Sequence, residues 1–347
     1  MPDRYDVIIA GGGVIGASIA WRLARNNLRV LLLDAATIGA EASSAAAGML
    51  APGGEFDDPS MLNFASRNLA AYPEFVRSIE ADSGVAIEFR KTTAVEIAVT
   101  TTGLSKRAGV TVLTRDQLRA LVPLVRLDAI GAMHYTNEAI IDPAGLMAAL
   151  RAACLARGVC IQEQSPITSV SVTASSVEVS QHTARYAVLA AGAWSSSIAI
   201  TIDNQPPALP RSFPIKGHLL GYRLPAGSLA ATVRHDHTYI LQRADGFTIA
   251  GSSTEDAGYD RTINPEIVSE IAARAGALIP ALAALKPESV WTGFRPAVDA
   301  AAPHIGRFQS SRLWLAYGHY RNGILLAPAT CDRICQDISA ALDRVSA

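Results

Sequence analysis

Three absences in the sequence narrow the possibilities before any motif is considered. No apolar run approaches the roughly 20 residues of a membrane-spanning helix, although half of the residues are hydrophobic. No block of like charge occurs, and 30 basic residues balance 31 acidic ones, so nothing favours nucleic acid as a partner. The N-terminal apolar run ends in glycines and does not resemble an export signal. We therefore predict a cytoplasmic protein with a large aliphatic core and no membrane partner.

Metal-binding patterns are also scarce. The cysteines are Cys154, Cys160, Cys331 and Cys335, and they form no C-x-x-C motif. We expect them to be buried free thiols in a reducing compartment. His235 and His237 share one face of a predicted strand, but they offer only two ligands and no third is apparent. We predict no metal site, and interpret these histidines as loop or supporting residues.

The chain does have a strand–turn–helix–strand pattern in its first 34 residues. A strand-forming run leads into Gly11, Gly13 and Gly16, which match the spacing G-x-G-x-x-G. The first glycine allows a sharp turn, the second lets the backbone approach a pyrophosphate, and the third lets helix and strand pack closely. The helix N-terminus that follows favours the negative charge of phosphates. The pattern predicts a dinucleotide-binding turn.

Asp34 ends the second predicted strand, about 20 residues after the turn, where a carboxylate can bind both hydroxyls of an adenosine ribose. A carboxylate there repels a ribose 2′-phosphate, which argues against NADP. It does not distinguish NAD from FAD.

Residues 37–49 consist mostly of very small side chains. Such a segment lets a flat ring lie against the backbone. It is equally typical of an alanine-rich helix start capped by Ser43 or Ser44. The sequence leaves both interpretations open.

The remaining pattern predicts further elements. Predicted helices cover residues 60–82, with a kink or break at Pro73, residues 114–121, a segment from Asp142 to Gly158, one from Asn264, and the C-terminal segment. Predicted strands cover residues 85–89, 94–99, 131–135, 159–162, 186–194, 239–243, 247–251 and 313–317, with others around Val170 and Val179. The apolar run 186–194 is typical of a central parallel strand, so the chain returns there to the nucleotide-binding sheet.

Several stretches together resemble the glycine oxidase branch of the D-amino-acid-oxidase-like flavoproteins. They are the fingerprint with Asp34, residues 44–50, residues 235–240, residues 293–296 with Asp299, Pro303 and Gly306, and residues 318–330, which are the most specific. Two departures are visible. Asp34 stands where Glu is commoner, and Ala42 stands where a hydroxyl residue often contacts the cofactor.

The resemblance implies FAD as the cofactor and a two-part fold, α/β with α+β. A discontinuous Rossmann-type FAD-binding domain would comprise residues 1–84, 143–210 and 305–347. An antiparallel β-sheet substrate domain would comprise residues 85–142 and 211–304. We expect non-covalent FAD, since residues 318–328 contain no cysteine. The implied cofactor contacts are Gly11, Gly13, Val14, Ile15, Gly16, Asp34, Ala35, Ala42, Ser43, Ala47, Gly48, Met49, Ile167, Gly192, His319, Tyr320, Arg321, Asn322, Gly323, Ile324 and Leu325.

The resemblance also implies an activity, the oxidation of glycine or another small amino acid such as sarcosine or D-alanine. Oxygen would be the acceptor, and the products would be the imine or 2-oxo acid, ammonia and hydrogen peroxide. Arg295 would bind the substrate carboxylate as a planar, bidentate cation, with Tyr239 and Arg321 as further substrate contacts. No catalytic residue beyond the flavin is required if the amine binds in its neutral form and a hydride is transferred to the flavin. A role in thiamine thiazole biosynthesis is also implied.

We expect a small substrate because Tyr239, Tyr320 and Arg321 are bulky and no further charged partner for a substrate side chain is apparent. Lys216 is a possible neighbour of the flavin. A homo-oligomer is expected. The alternatives are a D-amino-acid dehydrogenase with a quinone acceptor, the flavin domain of a tRNA-modification enzyme, and a non-catalytic flavin-binding sensor or scaffold.

Overall fold

The computed structural model describes residues 5–56, 58–104, 109–126 and 128–346. The strands, in chain order, are β1 Tyr5–Ala10, β2 Val30–Leu33, β3 Met49–Leu50, β4 Phe89–Ala98, β5 Thr111–Thr114, β6 Gly131–Ile141, β7 Cys160–Gln162, β8 Ser169–Val172, β9 Val177–Val179, β10 His182–Leu189, β11 Ala199–Ile202, β12 Ser212–Arg223, β13 Thr232–His235, β14 Thr238–Gln242, β15 Phe247–Gly251, β16 Ser289–Val298, β17 His304–Arg307 and β18 Leu313–Tyr317.

The α-helices are α1 Val14–Arg25, α2 Ala42–Ala45, α3 Pro52–Glu55, α4 Pro59–Ser83, α5 Arg115–Leu121, α6 Pro143–Ala156, α7 Pro265–Leu278, α8 Pro280–Ala283 and α9 Gly323–Ser346. Short 3₁₀ turns cover Thr101–Gly103, Gly192–Ser197 and Tyr320–Asn322. The predicted caps are confirmed. Asp142 accepts from two backbone amides of α6, Asn264 from one of α7, and Thr114 forms the expected capping box with Gln117.

The first sheet has the order β11-β8-β9-β10-β1-β2-β7, with β18 beside β10 and β17 beside β18. Its centre is parallel: β1 pairs with β10 and β2, β2 with β7, and β10 with β18. Helices α1, α4, α6 and α9 contribute to a core against one face. A second apolar cluster that includes Ile8, Leu31 and Leu313 covers the other face. The strand predicted at residues 186–194 is therefore central, as β10.

The second sheet has the order β16-β12-β15-β14-β13-β4-β6-β3, with β5 beside β6. Its pairs are antiparallel except for β13 with β4. Helices α5, α7 and α8 share a core with one face of it. The strands between residues 85 and 142 and between 211 and 298 all lie in this sheet. The short β3 joins it too, from within the first segment of the chain. The predicted fold class is confirmed.

One local prediction is wrong, and a second, the kink or break at Pro73, is excluded only as a break. Residues 85–88 are not a strand, because the Ile87 amide donates to Glu80 of α4 at 2.8 Å and the Val85 amide to Ser83 at 3.1 Å, so side chains of the preceding helix replace a strand partner. Helix α4 is not broken at Pro73 and continues over 25 residues.

Candidate functional site

A cavity of about 610 Å³ lies between the two sheets, within the size range of about 300–1,000 Å³ that ligand sites occupy. It extends from the glycine turn after β1 to strands β14 and β16 of the second sheet. Its lining includes all the predicted site residues except Gly16 and Leu325. Those brought together are Gly11, Gly13, Val14, Ile15, Asp34, Ala35, Ala42, Ser43, Ala47, Gly48, Met49, Ile167, Gly192, Tyr239, Arg295, His319, Tyr320, Arg321, Asn322, Gly323 and Ile324.

The glycine turn depends on the absence of side chains. Gly11 has φ +106°, and a Cβ added there would lie 2.4 Å from the carbonyl oxygen of Ala190, the residue after β10. A Cβ on Gly16 would lie 1.9 Å from the Gly11 carbonyl oxygen. Gly16 therefore lets α1 pack against the turn and takes no part in the cavity wall. Gly13 is the N-cap of α1, so the helix N-terminus faces the cavity.

Asp34 follows β2 and holds the turn from the side. Its carboxylate accepts from the Gly12 amide at 2.6 Å and from the Ala36 amide at 2.7 Å. Burial raises the pKa of Asp34, and the hydrogen bonds from Ala36 and Gly12 oppose that rise. The acid that the sequence assigns to a ribose thus also fixes the backbone around it.

The small-residue segment, residues 37–49, is both a helix start and part of the cavity wall, so the two interpretations left open by the sequence both apply. Ala42–Ala45 is a short helix, yet it has no side-chain cap, and its alanines line the cavity. Ser43 instead accepts a hydrogen bond from the Val14 amide at 2.9 Å, and so satisfies one free donor at the start of α1. Gly293 of β16 lies so close that a Cβ there would be 2.7 Å from that of Ala45.

The C-terminal block supplies another wall. Strand β18 ends at Tyr317, and α9 begins at Gly323, whose neighbour Ile324 also lines the cavity. His319 is buried, with Nε2 3.0 Å from the Thr330 hydroxyl, and burial lowers its pKa to about 3. The imidazole is therefore neutral at physiological pH. Leu325 is 1% exposed and belongs to the core, so only its backbone is available.

Arg295 of β16 occupies the opposite end of the cavity. Its guanidinium donates to the Ser252 hydroxyl at 2.9 Å and to the Ser253 carbonyl at 3.1 Å. Gly217 leaves room for it, since a Cβ there would lie 2.3 Å from Arg295 Nη2. Burial lowers the pKa of Arg295, and no carboxylate among the described residues forms an ion pair with it. A buried guanidinium without an anion is prepared to receive one.

Tyr239 and Arg321 lie at the same end. Burial is the largest cause of the raised pKa of Tyr239, and the nearby charges of Arg295 and Arg321 act against it. Arg321 Nε lies 3.6 Å from the carboxylate of Glu55, which also lines the cavity. The expectation that no further charged group is present is therefore wrong, because α3 carries Glu55 into the site. The sequence offered one signal, the Pro-Gly-Gly turn before this acid.

Lys216 and His235, which the sequence analysis singled out, lie elsewhere. Lys216 points away from the cavity, donates to the Thr262 carbonyl at 2.6 Å and lies 3.6 Å from Asp260. His235 contacts the Ile97 carbonyl at 2.9 Å. Within the described ranges no group of three metal-ligating side chains occurs, and no helix is long and apolar enough to cross a membrane.

Sequence reasoning also missed Arg261 and Glu41, which face each other across the cavity wall. Arg261 donates to Glu41 at 2.7 and 3.1 Å. Glu41 precedes α2, whereas Arg261 lies in the loop between β15 and α7, so the pair links distant parts of the chain. No local motif marks such a contact.

The parallel sheet, its glycine turn and the cavity that leads to a second, mostly antiparallel sheet define a dinucleotide-binding protein. The family model for FAD dependent oxidoreductases (DAO) matches residues 6–336. The chain belongs to this family, and its cofactor is FAD. An enzyme with an FAD-dependent oxidoreductase domain over nearly its whole length is thus established, and the residues at the cavity agree with a bound dinucleotide.

Relatives within the family are similar over nearly the whole chain. Glycine oxidase of Bacillus licheniformis is 30% identical over 95% of this chain and 92% of the relative. The bifunctional protein ThiO/ThiG of Synechocystis is 32% identical over 95% of this chain and 51% of the relative. The crystal structure of glycine oxidase from Bacillus cereus has a TM-score of 0.87 and 27% identity, and covers 97% of this chain and 98% of that one.

Proposed function

We propose that the chain is an FAD-dependent oxidase of small amino acids, with glycine as the leading substrate. The observation that carries this proposal is the buried guanidinium of Arg295, which has no carboxylate partner among the described residues and lies in the cavity that begins at the dinucleotide turn. The names of the relatives support it.

The proposed roles in cofactor binding and substrate binding correspond to the two sheets. We assign FAD binding to residues 1–84, 143–210 and 305–347, and substrate binding to residues 85–142 and 211–304. The glycine turn and the start of α1 would hold the pyrophosphate, and Asp34 the ribose. The remaining cofactor contacts are the lining residues predicted above. When bound, FAD supplies the acceptor of the two electrons that the substrate loses.

Substrate orientation comes from Arg295 and Tyr239. A planar guanidinium forms two parallel hydrogen bonds with a carboxylate, and the Tyr239 hydroxyl adds a third donor. Their burial strengthens these bonds and excludes water. Anchoring the carboxylate fixes the position of the α-carbon, which is the atom to be oxidised.

The start of α9 contributes a favourable electrostatic environment. Backbone amides at Gly323, Ile324 and Leu325 belong to the first turn of a long helix and have no partner within it. They stabilise negative charge that develops beside them, as helix N-termini generally do. With a pKa of about 3, the buried His319 is too weak a base to accept a proton from a substrate ammonium group near neutral pH, in agreement with a substrate that binds with a neutral amine.

The overall reaction is balanced by water and oxygen. The amino acid loses two electrons and two protons to give an imine, and water hydrolyses the imine to the 2-oxo acid and ammonia. Oxygen takes up the two electrons and two protons as hydrogen peroxide. We further propose that the imine of glycine serves thiamine thiazole formation, which the name ThiO/ThiG of the Synechocystis relative supports. The homo-oligomeric state and the cytoplasmic location stay predictions.

Peroxide release in air tests the proposal. Glycine, sarcosine, D-alanine and bulky D-amino acids are compared by turnover divided by Michaelis constant, and we expect the small substrates to be preferred. A preference for D-phenylalanine or D-arginine would contradict the assignment. Reduction without peroxide release would favour the quinone-linked dehydrogenase.

A further inference from the structure

The arginines that line the cavity are not equivalent. In the described part of the chain they are Arg261, Arg295 and Arg321. Arg261 is paired with Glu41 at 2.7 Å, and Arg321 lies 3.6 Å from Glu55. Among the residues that the structure describes, only Arg295 of these three has no carboxylate in ion-pair range. The cavity therefore offers one uncompensated guanidinium although it contains three.

Glu55 lies where its carboxylate can neutralise the charge of Arg321 whether or not a substrate is bound. Its side chain is 14% exposed, whereas that of Arg321 is 42% exposed and so remains accessible from the cavity. Glu55 ends the short helix α3, which lies against the second sheet with little space. A Cβ on Gly54 would lie 1.6 Å from Arg234 Nη1, and one on Gly53 would lie 3.0 Å from the Tyr135 ring. The backbone that carries Glu55 is thus held in place.

The neighbouring guanidinium, that of Arg234, does not compete with Arg321 for Glu55. Arg234 forms a close ion pair with Glu138, whose side chain is 1% exposed. Burial raises the pKa of Glu138 to about 7, and Arg234 opposes that rise. Each guanidinium near α3 therefore has its own acid, and the acid of Arg321 is Glu55.

We propose that Glu55 is a specificity-determining residue, which neutralises Arg321 and restricts the site to amines with a single anionic group. The inference rests on the proposed function, because it assumes that Arg295 binds the first carboxylate. A second carboxylate or phosphonate on the substrate would meet a guanidinium that is already paired and a carboxylate that repels it. Such a repulsive element discriminates against substrates that the remaining contacts would accept.

The test compares Glu55→Gln with the wild-type protein on two substrates. Iminodiacetate has the secondary amine of sarcosine and a second carboxylate. For each protein, turnover divided by Michaelis constant is measured for both substrates, and the ratio of the two values reports the effect of the second carboxylate. We expect this ratio, iminodiacetate over sarcosine, to rise at least tenfold in Glu55→Gln. It should return towards the wild-type value in Glu55→Gln/Arg321→Met, because the gain depends on the freed guanidinium. An unchanged ratio in the single variant, or a gain that persists without Arg321, would overturn the proposal.

Glu41→Gln is the matched control. It removes the same charge from the same cavity beside Arg261, and we expect the ratio to change less than twofold. A tenfold rise there too would mean that overall cavity charge, not the Glu55–Arg321 pair, sets the preference, and would contradict the proposal. If Glu55→Gln does not fold, Glu55→Ser removes the same charge with a smaller side chain.

A binding measurement on the wild-type protein is independent of turnover. Acetate and malonate are titrated against the flavin absorbance, and we expect malonate to bind at least tenfold more weakly. Equal or tighter malonate binding would show that a second anion is already accepted, which overturns the proposal. Failure of the proposed function looks different, since no amine, with one anionic group or two, would then reduce the flavin.

Discussion

The two ends of the cavity are built in different ways. At the glycine turn, the wall is the main chain of a few consecutive residues, with Asp34 from the adjacent strand. At the far end, the wall consists of long side chains from β14, β16, α3 and the turn before α9, which are far apart in sequence. The residues of the first end can therefore be predicted from sequence spacing alone, whereas those of the second end are brought together only by tertiary packing.

The difference also predicts separable effects of substitution. Changes at the glycine turn should affect FAD binding or stability, because they alter backbone contacts. Changes at the Arg295 end should affect the amino acid and leave FAD content normal. A variant that disturbed both ends equally would break the comparison.

The largest effect is expected for Arg295→Ala. Removing one member of a buried charge pair typically costs about 2–5 kcal/mol, so substrate affinity should fall by well over tenfold. Michaelis constants and acetate titrations measure this loss, and released flavin measures FAD content. Arg295→Lys retains the charge without the planar fork and should give an intermediate loss. Unchanged kinetics in Arg295→Ala would place the carboxylate anchor elsewhere, with Arg321 as the next candidate.

Asp34→Ala tests the other end. The carboxylate accepts from two backbone amides, and hydrogen bonds to charged groups contribute about 1.5–3 kcal/mol each. We expect FAD affinity to fall at least tenfold in an equilibrium titration of the flavin-free protein. Asp245→Ala, an exposed carboxylate on the β14–β15 hairpin, is the control. Normal FAD affinity in Asp34→Ala would contradict the assigned role.

Gly16→Ala should lower the stability of the fold rather than the rate of the reaction. The new Cβ would lie 1.9 Å from the Gly11 carbonyl oxygen, and overpacking typically costs about 1–3 kcal/mol. The denaturant midpoint of the flavin-free protein measures the loss. Gly323→Ala is the matched control, since its nearest neighbour would be 3.7 Å away. Equal midpoints for the two variants would argue against tight packing of α1 on the turn.

The smallest effect is expected for Ser43→Ala. This change removes the acceptor of the Val14 amide, and a hydrogen bond of this kind contributes about 0.5–1.5 kcal/mol. Thermal unfolding of the flavin-free protein measures the change. Ser44→Ala removes the hydroxyl of the next residue and should change the unfolding temperature less. The reverse order would favour Ser44 as the stabilising hydroxyl of this segment.

Much of the fold follows from local patterns. The caps Asp142 and Asn264 and the hairpin at Gly246 satisfy backbone groups within a few residues, so sequence spacing predicts them. The failure at residues 85–88 has the opposite cause. Glu80 and Ser83 bind the amides of that segment, and an apolar pattern does not reveal that its hydrogen bonds are already used.

The site shows the same limit. Arg295 and Tyr239 were predicted through a family resemblance, because their own neighbourhoods look like ordinary strands. Glu55 escaped notice, since its importance comes from Arg321, which is 266 positions later in the chain. Charge compensation between distant residues becomes visible only in the folded structure.

Anaerobic mixing of the purified protein with glycine tests the central claim most directly. The cavity joins a dinucleotide turn to a guanidinium with no carboxylate partner in the described part of the chain, so a carboxylate-anchored amine should be oxidised there and the flavin absorbance should bleach. Admission of air should then restore the colour and release peroxide. A flavin that stays oxidised with glycine, sarcosine and D-alanine would contradict the account.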